Sequence, residues 1–186
     1  YAEVLRGEVE VGRRVAIIGA GGIGFDVAEF LVHGGGGPDL DAFLKEWGVD
    51  KAHTTRGALT EPEHAPPARQ VFLCQRKTTK PGAGLGKTTG WIHRAALQHA
   101  NVEMLSGCEY ERVDEKGLWV QIGGQRRLLE VDHVVVCAGQ EPARELEASV
   151  RHLGATVHVI GGALEAGELD AKRAIRQGVE TAIALG

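Results

Sequence analysis

Residues Arg13 to Gly24, RRVAIIGAGGIG, constrain this chain more than any other stretch. The apolar run Val15-Ala-Ile-Ile18 enters a glycine-dense turn, and Phe25-Asp-Val-Ala-Glu-Phe-Leu-Val32 follows with apolar residues at helical spacing. A buried strand, a tight turn and an amphipathic helix meet at glycines, the arrangement that binds dinucleotides. Gly19 permits the sharp exit from the strand, Gly21 lets a pyrophosphate approach bare backbone, and Gly24 lets the helix pack on the strand. The unpaired N–H groups of the first helical turn and the positive end of its dipole suit a phosphate. A tight turn without ligand is the plainer alternative.

The net charge of −4 speaks against a general nucleic-acid surface. Yet between Arg69 and Arg94 stand Arg69, Arg76, Lys77, Lys80, Lys87 and Arg94 with no acidic residue, which implies a local cationic site. Gln70-Val-Phe-Leu-Cys74 reads as the second strand, so Gln75-Arg76-Lys77 falls where a dinucleotide fold meets the adenosine ribose. A carboxylate there binds the 2′-hydroxyl of NAD, whereas a cation accommodates the 2′-phosphate of NADP. Arg76 and Lys77 therefore favour NADP(H). The usual interval from the glycine turn to this position is about 20 residues, and here Gly24 and Arg76 are 52 apart (76 − 24). Treating residues 34–68 as an insertion over the sheet edge accounts for the excess; within it Asp39 caps a short helix ending near Trp47.

Gly82-Ala-Gly-Leu-Gly-Lys-Thr88 imitates a triphosphate loop, but Pro81 occupies the position that needs glycine and no strand leads directly into it. It reads instead as a loop before a helix over Gly90 to His99, in which His93 beside Trp91 is expected to be structural. Short strands are expected at Val102–Leu105 and Cys108–Val113. Leu118–Ile122 and Arg127–Val131 flank Gly123-Gly124 as a hairpin, and Asp132–Cys137 is β-branched like a strand buried on both faces. The expected fold is α/β, a Rossmann-like three-layer domain with a parallel sheet and a small antiparallel meander. Its boundaries are a linker over 1–12, a nucleotide domain over 13–139 and a further segment over 140–186. In that last segment Val157–Gly162 reads as a strand ending in glycines and Leu169–Leu185 as a periodic helix.

Cys74, Cys108 and Cys137 form no CxxC, and two of them sit in apolar runs, so buried thiols are expected rather than a disulfide or metal site. The 27 glycines are twice the usual share of roughly 7%. No apolar run approaches a membrane span and no signal peptide is evident, so the sequence reads as cytosolic, with no membrane partner.

The stretches RVAIIGAGGIGFDVAEFL, QRKTTKPGAGLGKTTGWIHR, VVVCAGQEPARELE and VHVIGGALEAGELDAKRAIRQG together resemble bacterial NADPH-dependent 2,4-dienoyl-CoA reductases and, more broadly, the flavin oxidoreductases that share their multidomain plan. The likeness covers nearly the whole chain and is weakest over 34–68. That family joins an FMN-bearing barrel and an iron–sulfur cluster to a paired FAD and NADP(H) module. The resemblance implies that this chain is the NADP(H)-binding domain followed by the closing part of an FAD domain, with the remaining domains of a parent polypeptide as its partners. FMN and the 4Fe-4S cluster would belong only to that parent, and no catalytic or metal-binding residue is assigned here. By the same resemblance Gly19, Gly21, Gly22, Ile23 and Gly24 would hold the NADPH pyrophosphate, and Arg76 with Lys77 its 2′-phosphate. Gly139 would lie near the nicotinamide, and Gly161, Gly162, Glu168 and Leu169 would face FAD. Two alternatives are a flavin oxidoreductase of the same plan acting on another enone or an amine, and a stand-alone dinucleotide sensor.

Overall fold

Val15, Ala16 and Ile17 are wholly inaccessible to solvent, so the first strand must be flanked on both sides and covered on both faces. The computed structural model describes residues 1–34, 39–167 and 171–186. It separates into two compact units, Tyr1–Ala138 and Gly139–Gly186.

In the first unit, β1 (Arg14–Ile18) lies between β2 (Gln70–Cys74) and β7 (His133–Val136), and β3 (Glu103–Leu105) completes a parallel sheet of order β3-β2-β1-β7. Alternation along these strands divides the core into two layers. Val15, Ile17 and Leu73 face the helices α2 (Gly22–His33) and α4 (Gly90–His99), where Phe25, Val27, Leu31 and Leu97 are buried. Ala16, Phe72 and Cys74 face the other way, onto an antiparallel meander of β4 (Cys108–Asp114), β5 (Gly117–Ile122) and β6 (Gln125–Leu129). Each large side chain so buried contributes roughly 1.5–3 kcal/mol. The β5–β6 turn is Gly123-Gly124 with φ of 58° and 78°, the doubly left-handed geometry that a two-residue hairpin needs. The α/β architecture expected from the sequence, parallel sheet plus meander, is the one observed.

The long connection between α2 and β2 adds no strand to the parallel sheet among the described residues. It carries α3 (Leu40–Glu46), whose Asp39 side chain accepts the Ala42 N–H at 2.8 Å, and an isolated bridge between Val49 and Leu59. Trp47 and His64 both pack against the His99 ring and pin this segment to α4.

Asp132–Cys137, expected to be buried on both faces, instead supplies β7 at the end of the described sheet, with His133 and Val136 exposed. Three further expectations need correction. Residues 1–12, read as a linker, begin with α1 (Ala2–Leu5); Tyr1 and Val4 pack on the core and Val11 is buried in it, so apolar contact orders a segment that carries no capping signal. Arg127–Val131 runs in fact from Gln125 to Leu129, because the tight hairpin starts pairing directly after Gly124. In the second unit, Val157–Ile160 is not a strand: it has no neighbouring strand among the described residues to complete its hydrogen bonds, and it leads into a single 3-10 turn at Gly161–Ala163. That unit also holds α5 (Glu145–Arg151) and α6 (Ala171–Leu185). No helix among the described residues is long and apolar enough to cross a membrane.

Candidate nucleotide site

Strand register brings together Gly19 and Gln75, which the sequence keeps 56 residues apart (75 − 19). Ile18 pairs with Cys74 across the β1–β2 ladder, and the Gly19 N–H donates to the Cys74 carbonyl at 2.8 Å. The residues leaving both strands, Gly19 and Gln75, are therefore neighbours at the carboxyl edge of the sheet, where such folds place ligands. A cleft of about 490 Å³ opens there, lined on one side by Gly19, Ala20 and Gly21 and on the other by Gln75, Arg76 and Lys77.

The four glycines of the turn do different work. Gly19 adopts φ +114°, and a Cβ on it would meet the Cys137 carbonyl oxygen at 2.8 Å. A Cβ on Gly24 would stand 1.7 Å from the Gly19 carbonyl oxygen, so only glycine lets α2 close onto the turn. Gly21 and Gly22 would meet nothing within 4 Å. Steric demand thus accounts for two glycines, while the other two keep the backbone bare toward open space. Gly21 is the N-cap of α2 and offers no capping side chain, leaving first-turn N–H groups, those of Gly22 and Ile23 among them, for an outside acceptor. This is a cradle that fits a pyrophosphate.

Opposite it, Arg76, Lys77 and Lys80 are exposed, and none makes an ion pair or a side-chain hydrogen bond among the described residues. Thr79, Lys80, Ala83 and Gly84 also line the cleft, so part of the loop before α4 belongs to the site rather than merely leading to a helix. Gly82 packs against the Phe25 ring of α2, and its carbonyl accepts a 3.0 Å hydrogen bond from Arg94, which anchors that loop. His93 takes no part: its Nδ1 lies 2.8 Å from Glu29 Oε1 and ties α4 to α2.

Sequence reasoning missed Tyr110. It comes from β4, next to an irregularity in the β4–β5 register, and its ring lines the cleft while its hydroxyl is buried without a hydrogen-bond partner. Burial first, then the nearby Cys74 and Cys108 thiols, push its pKa up, with Arg76 opposing. The available signal was an aromatic residue in the strand that follows the third parallel strand. All three cysteines are buried and free. Cys74 is raised above the ordinary thiol range by its hydrogen bond with Cys108 and by burial, and burial pushes Cys137 up to about 11.

A family model for pyridine nucleotide-disulphide oxidoreductases matches residues 2–162. The chain belongs to the pyridine nucleotide-disulphide oxidoreductase family. Membership in this family implies binding of a pyridine nucleotide and FAD, and it makes the Rossmann-like unit an oxidoreductase dinucleotide domain. Among solved structures, the chain is similar to 2-naphthoyl-CoA reductase in complex with 2-naphthoyl-CoA (TM-score 0.67, 19% identity, 95% of this chain and 22% of that one). It is also similar to the 6-hydroxypseudooxynicotine amine oxidase of Pseudomonas geniculata N1 (0.67, 17%, 96% and 23%). A third likeness is to histamine dehydrogenase from Rhizobium sp. 4-9 (0.66, 13%, 97% and 25%). At these identities the likeness shows the fold. The chain spans no more than a quarter of the length of these three proteins.

The remaining expected residues of this pyridine nucleotide-disulphide oxidoreductase chain lie in its second unit. Gly139 has φ +78°. Gly161 is buried with φ +62°; its N–H donates to Gln177 Oε1 at 2.6 Å, and it packs against Ala174 of α6, with Gly162 beside it. Glu168 and Leu169 lie outside the described residues.

Proposed function

We propose that this chain is the NADP(H)-binding part of a multidomain flavin oxidoreductase, receiving NADPH for hydride transfer to FAD. One observation carries the reading: unpaired cations at the end of β2 face the bare glycine turn across a single cleft. The coenzymes supply the redox chemistry, hydride from the dihydronicotinamide and an acceptor in the flavin. The protein's task is to bind and orient. The N–H groups of Gly22 and Ile23 donate to the pyrophosphate, Gly21 keeps side-chain atoms away from it, and the Arg76 fork and Lys77 ammonium hold the 2′-phosphate. No carboxylate stands among the described residues that line the cleft, so none there opposes that phosphate. Gly139 would serve the nicotinamide end, and Gly161, Gly162, Glu168 and Leu169 the FAD of the complete protein.

For the parent's reaction, reduction of a 2,4-dienoyl-CoA thioester is the reading best supported by the motif resemblance, and a likeness named as a reductase of another CoA thioester is compatible with it. The likenesses named for amine substrates support the second reading, an enzyme of the same plan acting on an amine or another enone. The exposed apolar stripe Ile175, Val179 and Ile183 on α6 supports a larger protein, since such a face is ordinarily covered.

The test is a calorimetric titration of Arg76→Ala combined with Lys77→Ala. Affinity for NADPH should fall at least about tenfold with NADH unchanged, as loss of hydrogen bonds to a charged group requires. Equal losses for both nucleotides would refute the 2′-phosphate assignment.

A further inference from the structure

Three cations within five residues, Arg76, Lys77 and Lys80, repel one another, and the segment that bears them has no helix or strand to hold it. Gln75, the residue immediately before them, is where that repulsion is met. Its Nε2 donates to the Lys77 carbonyl at 3.0 Å and to the Thr79 carbonyl at 2.5 Å, and lies 3.5 Å from Thr79 Oγ1. Both main partners are carbonyl oxygens, so the carboxamide must present its nitrogen, and no carboxylate could replace it. The Gln75 backbone is itself fixed on both sides: its N–H donates to the Leu105 carbonyl and its carbonyl accepts from Cys108 N–H, each at 2.9 Å. The Gly107 N–H closes the arrangement by donating to the Lys77 carbonyl, also at 2.9 Å.

We infer that Gln75 is a positioning residue for coenzyme choice: its carboxamide cross-links the cationic loop into the turn that presents Arg76 and Lys77 to the 2′-phosphate. The inference rests on the NADP(H) reading and extends it from which groups bind the phosphate to what sets them in place. Sites for NAD carry near here an acid that accepts from the ribose; Gln75 instead directs donors back into its own loop. The like charges are held together before the nucleotide arrives, so less of the binding energy goes into ordering the loop.

Gln75→Met keeps the side-chain length and removes the donors. In the chain as sequenced it should raise the NADPH dissociation constant about tenfold, the loss of two neutral hydrogen bonds, and change that for NADH by less than about twofold. Amide exchange at Gly107 should quicken, while the midpoint of thermal unfolding moves little. Gln75→Asn, one methylene short but still a donor, should fall between wild type and Gln75→Met. Unchanged NADPH affinity, or equal losses for the two nucleotides, would overturn the inference. The Arg76→Ala, Lys77→Ala variant is measured alongside. If it discriminates between nucleotides and Gln75→Met does not, only the role of Gln75 falls; if it fails to discriminate, the NADP(H) reading falls and this inference with it.

Discussion

Two groups of cations, both solvent-exposed and both in the first unit, differ in one respect: whether the protein has already neutralised them. On the meander, Arg127 grips Glu103 through two hydrogen bonds of 2.6 and 2.9 Å and lies over the Phe72 ring. Arg126 pairs with Glu111 at 2.7 Å and Arg112 with Asp114 at 3.0 Å, and both guanidinium groups lie over the Trp119 ring. In the loop after β2, Arg76, Lys77 and Lys80 have no such partners among the described residues. The meander uses arginine to assemble its own surface, and the loop holds positive charge in reserve. An unpaired cluster beside bare backbone is a place for an anion; a paired one is not.

The comparison breaks most sharply at Arg76. Arg76→Glu supplies the acid that NAD sites use and sets it against the 2′-phosphate, so NADPH affinity should fall about a hundredfold or more while NADH is retained or improved. Competition titrations with the two coenzymes measure the ratio, and an unaltered ratio would mean the reserved charge serves something else. Glu103→Gln asks the converse question by stripping Arg127 of its partner. This pair is more than a third exposed, so the expected loss is about 1 kcal/mol or less, read as a small drop in the denaturation midpoint with nucleotide affinity unchanged. If freeing Arg127 created a new preference for NADPH, pairing alone would explain inertness and the cleft's shape would not matter. The smallest effect is screening: raising salt from about 50 mM to about 500 mM should weaken NADPH binding a few-fold and NADH binding less, because only the former adds a phosphate to an exposed cationic loop.

How much of this was legible in the sequence follows from the range of each interaction. The turn, its strand and its helix are local: Gly19, Gly24 and the spacing of Phe25, Val27 and Leu31 state their own geometry. The hairpin at Gly123-Gly124 was readable for the same reason. Arg76 and Lys77 could be assigned to the cleft only by supposing that 34–68 stood aside, and the β1–β2 register is what brings them beside Gly19. Tyr110 reaches the cleft from a strand of the second sheet: the sequence shows an aromatic residue in the strand after the third parallel one, but its placement at the cleft is set by packing between the two sheets. The strand expected at Val157–Ile160 failed because pairing, unlike helix formation, needs a partner that local pattern cannot provide. The helix Ala2–Leu5 was missed because Tyr1 and Val4 are ordered by distant core residues rather than by a cap.

Gly19 and Gly24 interlock at the head of α2. With the α-carbon of one residue set against the carbonyl of the other, the turn and the head of α2 can shift only as a single rigid piece. A pyrophosphate binding there would find the edge already formed, and under the proposed function the choice between coenzymes would fall to the exposed cations across the cleft.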